Sequence, residues 1–198
     1  MMTTNLRSFL GACLVVIGAG VAGCAGMNPG AGWVTVVDGT SIDGWAQVGK
    51  GNWSIAGGTV QGVRGEAGYI VSKDSYTDFE IRAEFWADED ANSGIFIRCQ
   101  DRNKIGADTC YEVNIFDKRP DPTYGTGAIV DVAKVVPMPK AANKWNLYEI
   151  TARGDKLIVV LNGQKTVDVR DGKHRAGPIA PQSAGGTIRF RKVQIRSL

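Results

Sequence analysis

Asn92-Ser93-Gly94-Ile95-Phe96-Ile97-Arg98, followed by Tyr111-Glu112-Val113-Asn114-Ile115-Phe116-Asp117, decides how this chain is read. Both stretches alternate. Ile95 and Ile97 interleave with Phe96 and Arg98, and Tyr111, Val113 and Ile115 interleave with Glu112, Asn114 and Phe116. Successive side chains on a β-strand point to opposite faces, so each stretch reads as a strand with one aliphatic face. With the aliphatic sets turned to a core, Arg98, Glu112 and Asn114 share the other face. A cation, a carboxylate and an amide beside an aromatic suit a polar, sugar-like ligand, and they form the best catalytic candidate in the chain. The same residues also fit a cross-strand ion pair on a solvated sheet face, worth only about 0.2–1 kcal/mol.

The rest of the chain beyond residue 32 extends the β pattern. Residues 33–37, 52–55, 59–63 and 69–72 read as short strands broken by Gly57-Gly58 and Gly65. Phe79-Glu80-Ile81-Arg82-Ala83-Glu84-Phe85 is the cleanest alternating strand, apolar on one side and charged on the other. Residues 145–153, 156–161 and 164–169 form a meander with turns at Gly154-Asp155 and Asn162-Gly163, the latter suited to a type I′ hairpin. The closing strand, residues 187–196, slips phase near Arg191-Lys192, which predicts a bulge. No stretch holds a helical period. Many short strands at this spacing predict an all-β, two-sheet antiparallel sandwich. Residues 118–124 and 135–143, rich in Pro, read as long irregular loops of the kind that carry function.

The N-terminal stretch reads as a leader rather than as part of the fold. Arg7 precedes an apolar run over residues 9–22, too short for a comfortable transmembrane helix. Val21-Ala22-Gly23-Cys24 resembles the bacterial lipobox. Residues 1–23 are then a signal peptide, Cys24 carries lipid, and residues 24–32 form a Gly/Ala/Asn/Pro-rich tether to a domain spanning residues 33–198. An ordinary signal peptide with an incidental Cys fits the same residues. Ala25 after the Cys favours the outer membrane, facing the periplasm, as the destination of a lipoprotein. Net charge is +3 with no basic stripe, which argues against nucleic acid, and the single His, His174, excludes a site needing several His ligands.

Cys99 and Cys110 stand at the ends of the two opening strands. An oxidising compartment favours a disulfide there, closing residues 100–109 into a loop. A register that pairs Ile97 with Val113 and Arg98 with Glu112 sets Cys99 opposite Tyr111 instead. A bulge or a strand end at Cys110 reconciles the two.

The chain resembles the 3-keto-disaccharide hydrolase domain family, whose fold is similar to that of concanavalin A-like lectins and glucanases. The landmarks run from Val37-Asp38-Gly39-Thr40-Ser41-Ile42-Asp43-Gly44-Trp45 through the two opening stretches to Thr126-Gly127-Ala128-Ile129 and Lys144-Trp145-Asn146. They continue with Leu161-Asn162-Gly163, Gly177-Pro178-Ile179 and Phe190-Arg191-Lys192-Val193. The resemblance implies a concanavalin A-like jelly roll. Glucanases of this fold carry Glu-x-Asp-x-Glu on one strand, whereas the corresponding strand here reads Glu112-x-Asn114-x-Phe116. The second in-line carboxylate is missing, against a two-carboxylate glycosidase.

The family's name implies a different reaction. A ketone at sugar C3 acidifies the C2 proton; one base removes it, an electrophile holds the enolate oxygen, and the C1 substituent leaves. Glu112 is the expected base and Arg98 the expected oxyanion partner, with Asn114 orienting the ligand. Asp131 and Lys134 read either as plain surface charges or as residues that reach the same groove, with Lys134 a substitute base if desolvation lowers its pKa; Trp145 reads as a sugar platform or, more often for a Trp opening a sandwich strand, as core; Gln182 is expected on the ligand side. Relatives often read Leu-Gln-x-His-Gly where this chain has Pro181-Gln182-Ser183-Ala184-Gly185, so the His is absent, and His174 reads as a solvated residue of a charged loop. Asp88-Glu89-Asp90 reads as an acidic turn, not a metal loop. No cofactor is expected, and no dinucleotide fingerprint follows any strand, so a separate dehydrogenase must supply the keto-sugar.

Three functions therefore compete: a hydrolase or lyase acting on 3-keto-glycosides, a glycan-binding module, and a structural envelope lipoprotein. An enzyme requires Glu112 free at the floor of a groove. A binding module requires exposed aromatics on that face and Glu112 locked to Arg98. A structural protein requires a face covered by loops.

Overall fold

The computed structural model describes Met1 and residues 32–198; the leader, Cys24 and nearly all of the tether lie outside the described residues. Thirteen strands and one short 3-10 turn, Pro122–Tyr124, make up the regular structure of the described residues. In chain order the strands are β1 (Val34–Val37), β2 (Trp45–Gly49), β3 (Asn52–Ala56), β4 (Thr59–Val63), β5 (Gly68–Ser72), β6 (Phe79–Ala87) and β7 (Ser93–Ile97). They continue with β8 (Tyr111–Ile115), β9 (Trp145–Arg153), β10 (Lys156–Leu161), β11 (Gln164–Arg170), β12 (Ala180–Ser183) and β13 (Ile188–Ser197).

Two antiparallel sheets stack into the expected sandwich. The larger has eight strands, ordered β11-β10-β9-β6-β13-β4-β3 with β1 added to β13; the smaller has five, ordered β2-β5-β12-β7-β8. The core lies between them. Phe79, Ile81, Ala83 and Phe85 of β6 meet Ile95 and Ile97 of β7 and Tyr111, Val113 and Ile115 of β8 in one buried cluster. Period-2 alternation therefore does what it predicts, turning the aliphatic set of each strand inward.

Local chemistry fixes the turns. Asn162 and Gly163 both take positive φ, 51° and 82°, as the type I′ turn between β10 and β11 requires. The ladder between β13 and β6 shifts register between Phe190 and Lys192, the position of the expected bulge. Two strands escape the sequence pattern. β12 reads Ala-Pro-Gln-Ser and contains a proline, yet it sits in mid-sheet. It tolerates Pro181 because it pairs only briefly, through Gln182 and Ser183 to β5 and through Ala180 and Pro181 to β7. β2 is short and mostly exposed, so its pattern carries little signal.

The hairpin of β7 and β8 has a different register from the expected one. Phe96 stands opposite Glu112 and Ile97 opposite Tyr111, two residues away from the pairing of Ile97 with Val113. A shift of two keeps every aliphatic side chain facing inward, so patterning alone cannot distinguish the two registers. Arg98 then leaves the strand in the left-handed region, with φ 53°. That extra residue on one side brings Cys99 to Cys110, and the two are joined by a disulfide with their Cα atoms 4.2 Å apart.

Candidate functional site

The outer face of the five-stranded sheet carries the chemistry. Following the cross-strand partners, one row runs Val48, Tyr69, Gln182, Gly94, Asn114, and the next runs Ala46, Val71, Ala180, Phe96, Glu112. Both rows face away from the main core. Val71, Phe96 and Ala180 form a second small apolar cluster there, together with Cys99 and Cys110. The Tyr69 ring meets Phe96 edge-on, centroids 5.3 Å apart. A polar strip of Tyr69, Gln182, Asn114 and Glu112 is thus seated on an apolar floor.

Glu112 is the most perturbed carboxyl of the strip. It is only 8 % exposed. Burial pushes its pKa up to about 7, with Arg119 pulling it down and Asp131 pushing it up to lesser extents. No hydrogen bond holds its carboxylate among the described residues. A desolvated, unpaired carboxyl titrating near neutrality is what general base catalysis asks for. Tyr69 feels the same surroundings: burial raises its hydroxyl pKa, and the Glu112 charge adds to the effect.

Two amides flank the strip with unused capacity. Asn114 Nδ2 donates to the Tyr124 carbonyl at 2.7 Å, and Gln182 Nε2 donates to the Tyr69 hydroxyl at 3.4 Å. The oxygens of both amides, Asn114 Oδ1 and Gln182 Oε1, are buried without a hydrogen-bond partner among the described residues. Buried acceptors are rarely left unpaired, since each costs about 1–3 kcal/mol.

The segment after β8 completes the site. Its backbone runs along the free edge of β8, with Asn114 N donating to Ala128 O at 3.0 Å, Gly127 N to Asn114 O at 3.1 Å and Val130 N to Glu112 O at 3.0 Å. Asp131 follows, exposed and at positive φ, 59°. Lys134 lies over the Tyr124 ring, 5.5 Å from its centroid, and is not among the charges acting on Glu112. Asp117 is structural. It accepts from Thr126 Oγ1 at 2.6 Å and from the backbone of Ala141 and Ala142, tying the two long loops together.

Three expected placements are corrected. Arg98 does not share the Glu112 face. Its left-handed backbone turns the side chain to one end of the sandwich, where it is fully buried. There it donates to the carbonyls of Thr77, Gly154 and His174 and to Asp78 Oδ1, the last at 3.2 Å. Trp145 lies on the outer face of the eight-stranded sheet, because Asn146, Tyr148, Ile150 and Ala152 take the inward phase of β9. Arg191 stacks on its ring at 4.3 Å. His174 is buried rather than solvated; its ring packs edge-on against Tyr111 at 4.9 Å, and both ring nitrogens lack a hydrogen-bond partner among the described residues. Burial lowers its pKa.

Tyr69, Arg119 and the role of Gly94 escaped sequence reasoning. Tyr69 and Gln182 are far apart in the chain, and only the pairing of β12 with β5 unites them. A Cβ on Gly94 would lie 3.3 Å from Glu112 Cγ and 3.6 Å from Glu112 Oε1. The absent side chain keeps the space beside that carboxyl open.

Comparison with known proteins agrees with this architecture. The 3-keto-alpha-glucoside-1,2-lyase-like domain family matches residues 32–196, and the chain belongs to that family. A 3-keto-disaccharide hydrolase of Bacteroides thetaiotaomicron is 25% identical over 150 residues, 60% of this chain; the chain spans about half, 52%, of that relative's length. A crystal structure from Parabacteroides distasonis, provisionally described as a glycosyl hydrolase, superposes with a TM-score of 0.76 at 18% identity, covering 84% of this chain and 94% of the other. The carbohydrate binding module CBM66 of Bacillus subtilis superposes with a TM-score of 0.62 at 20% identity, covering 84% and 96%. At these identities the two structures establish the sandwich fold alone.

Proposed function

We propose that this member of the family cleaves 3-keto-glycosides, with Glu112 as the base. The observation that carries the reading is the Glu112 carboxyl itself: buried, unpaired and raised to about 7. At neutral pH it is present in both forms, as a base that must take up a proton and later return it requires.

Glu112 takes the C2 proton, and the electron pair passes into the C3 carbonyl as an enolate. The enolate re-forms the ketone as the C1–oxygen bond breaks, and the leaving oxygen departs as an alcohol by taking a proton from the water whose hydroxide adds at C1. The proton returned to C2 completes net hydrolysis. The electrophilic role moves from Arg98 to Arg119 and the Tyr69 hydroxyl. Arg119 is the cation whose field acts on Glu112, and Tyr69 stands on the same face. Asp131 tunes Glu112 by like charge. The absent in-line carboxylate is no obstacle, because this chemistry needs one base rather than a pair.

The test is direct. Purified protein is incubated with 3-keto-trehalose and, separately, with trehalose. Glucose release from the keto-sugar only is expected. No release, with retained binding, would replace the hydrolase by a glycan-binding module. The half-buried Tyr69 ring on the Glu112 face is the feature that favours that second reading. The proposal places the protein in the bacterial envelope through lipid on Cys24, with a separate dehydrogenase supplying the keto-sugar.

A further inference from the structure

The row Gln182, Gly94, Asn114 crosses three adjacent strands with an amide at each end and no side chain in the middle. Strands in a sheet lie about 4.8 Å apart, so the two amides spring from backbones separated by roughly 10 Å. Each presents one buried oxygen that no group in the described residues satisfies. Each nitrogen spends one of its two N–H groups elsewhere, Gln182 on the Tyr69 hydroxyl and Asn114 on the Tyr124 carbonyl. What the row offers a ligand is therefore two unpaired acceptors, each beside an amide nitrogen with one N–H still to give.

The occupant must bring donors on both sides and be slim where it crosses Gly94. A carboxylate or phosphate has no proton to give the two oxygens, and a flat apolar group likewise leaves both orphaned, whereas a hydroxyl both donates to such an oxygen and accepts from the neighbouring N–H. A polyol ring fits: its hydroxyls radiate at the rim and donate, while its C–H face is apolar. Phe96, buried in the adjacent row beside Glu112, supplies an apolar surface below. We infer that Gln182 and Asn114 form a hydroxyl-reading subsite across Gly94, which takes one sugar ring by its ring hydroxyls whether or not the sugar carries a ketone. Gly94 is the specificity-determining position, because a methyl group there would meet Glu112 Cγ at 3.3 Å and the Val113 carbonyl at 3.0 Å. A ring held over it lies against the carboxyl.

This inference rests on the Glu112 face being the ligand face, and it separates recognition from chemistry. Gln182→Met keeps the side chain's length and removes the acceptor. A hydroxyl accepted equally in ground and transition states contributes to binding alone. KM for 3-keto-trehalose should then rise about three- to tenfold, the value of one neutral hydrogen bond, with kcat within about twofold. Trehalose affinity, read by titration calorimetry, should fall by the same factor. Monodeoxy trehaloses locate the contact: removing the hydroxyl that Gln182 accepts should weaken binding to the wild type and have no further effect on Gln182→Met. Gly94→Ala should lower affinity for both sugars by about tenfold or more, with thermal stability confirming the fold.

Normal turnover with equal deoxy penalties in wild type and Gln182→Met would overturn the subsite and leave the proposed reaction standing. Binding of trehalose with the expected penalties but no turnover of the keto-sugar would support the subsite and remove the reaction. Absence of both binding and turnover would overturn both.

Discussion

Glu112→Gln should make the protein more stable and less active at once, and the size of the gain depends on pH. The carboxyl sits at about 7 in the fold against an ordinary value of 4.5 in the unfolded chain. Between these values the folded protein holds a proton that the unfolded chain has released. Stability from this group is therefore full below pH 4.5 and is lost as pH rises to about 7. The loss is the free energy of that pKa difference, about 3 kcal/mol, an order-of-magnitude figure for an 8 % exposed group. In a domain of this size it corresponds to about 6–12 °C in melting temperature. The neutral amide of the Glu112→Gln variant carries no charge to desolvate. Melting both proteins across pH 5 to 9 should show Glu112→Gln gaining on the wild type as pH rises, level at the acid end and separated by most of that margin above neutrality. Turnover of 3-keto-trehalose should fall by about 100- to 10,000-fold over the same range, and wild-type kcat/KM should climb through pH about 7. A difference in melting temperature that stays flat with pH would refute the desolvation argument. Undiminished turnover in Glu112→Gln would refute the base.

The other predictions concern the frame around the site. Arg98→Met should leave the buried His174 carbonyl and the partly buried Thr77 and Gly154 carbonyls without this donor and cost about 1–3 kcal/mol of stability, while kcat measured below the melting transition stays unchanged; a collapse of kcat with no thermal shift would restore Arg98 to the chemistry. Alkylation of the unfolded protein without reductant should modify neither Cys99 nor Cys110, and reduction should cost about 3 kcal/mol by loop closure; two free thiols would remove the bridge. Labelled palmitate should enter the protein in a bacterial host and be lost in Cys24→Ser, and persistence of label in that variant would end the lipid-anchor proposal.

The sandwich was legible because alternation is a property of single strands. β6, β7 and β8 each carry enough inward aliphatic residues to declare a face without knowledge of their partners. Pairing is a relation between strands, and there the sequence is thinner. Tyr69 and Gln182 become neighbours only through β5 and β12, and β12 hides behind Pro181. Trp145 misleads because a Trp at a strand's first residue gives no phase of its own. Its neighbours Asn146 and Tyr148 set the phase by going inward, which leaves Trp145 on the outer face of the other sheet.

Arg98 shows how much a single backbone angle decides. In a regular strand it would follow Phe96 onto the Glu112 face, and cation and carboxylate would neutralise each other. A Glu112 paired with Arg98 would have its pKa drawn down, remain ionised at neutral pH and make a poor base. The left-handed turn at residue 98 removes the guanidinium to the end of the sandwich, where it binds backbone carbonyls. Left-handed backbone in a non-glycine residue is disfavoured by about 1–2 kcal/mol, and no local residue pattern announces it here. Four hydrogen-bond partners hold Arg98 in that geometry. The departure of Arg98 from the face, rather than its presence, leaves Glu112 unpaired and raised toward neutrality, so this buried cation serves the site by staying out of it.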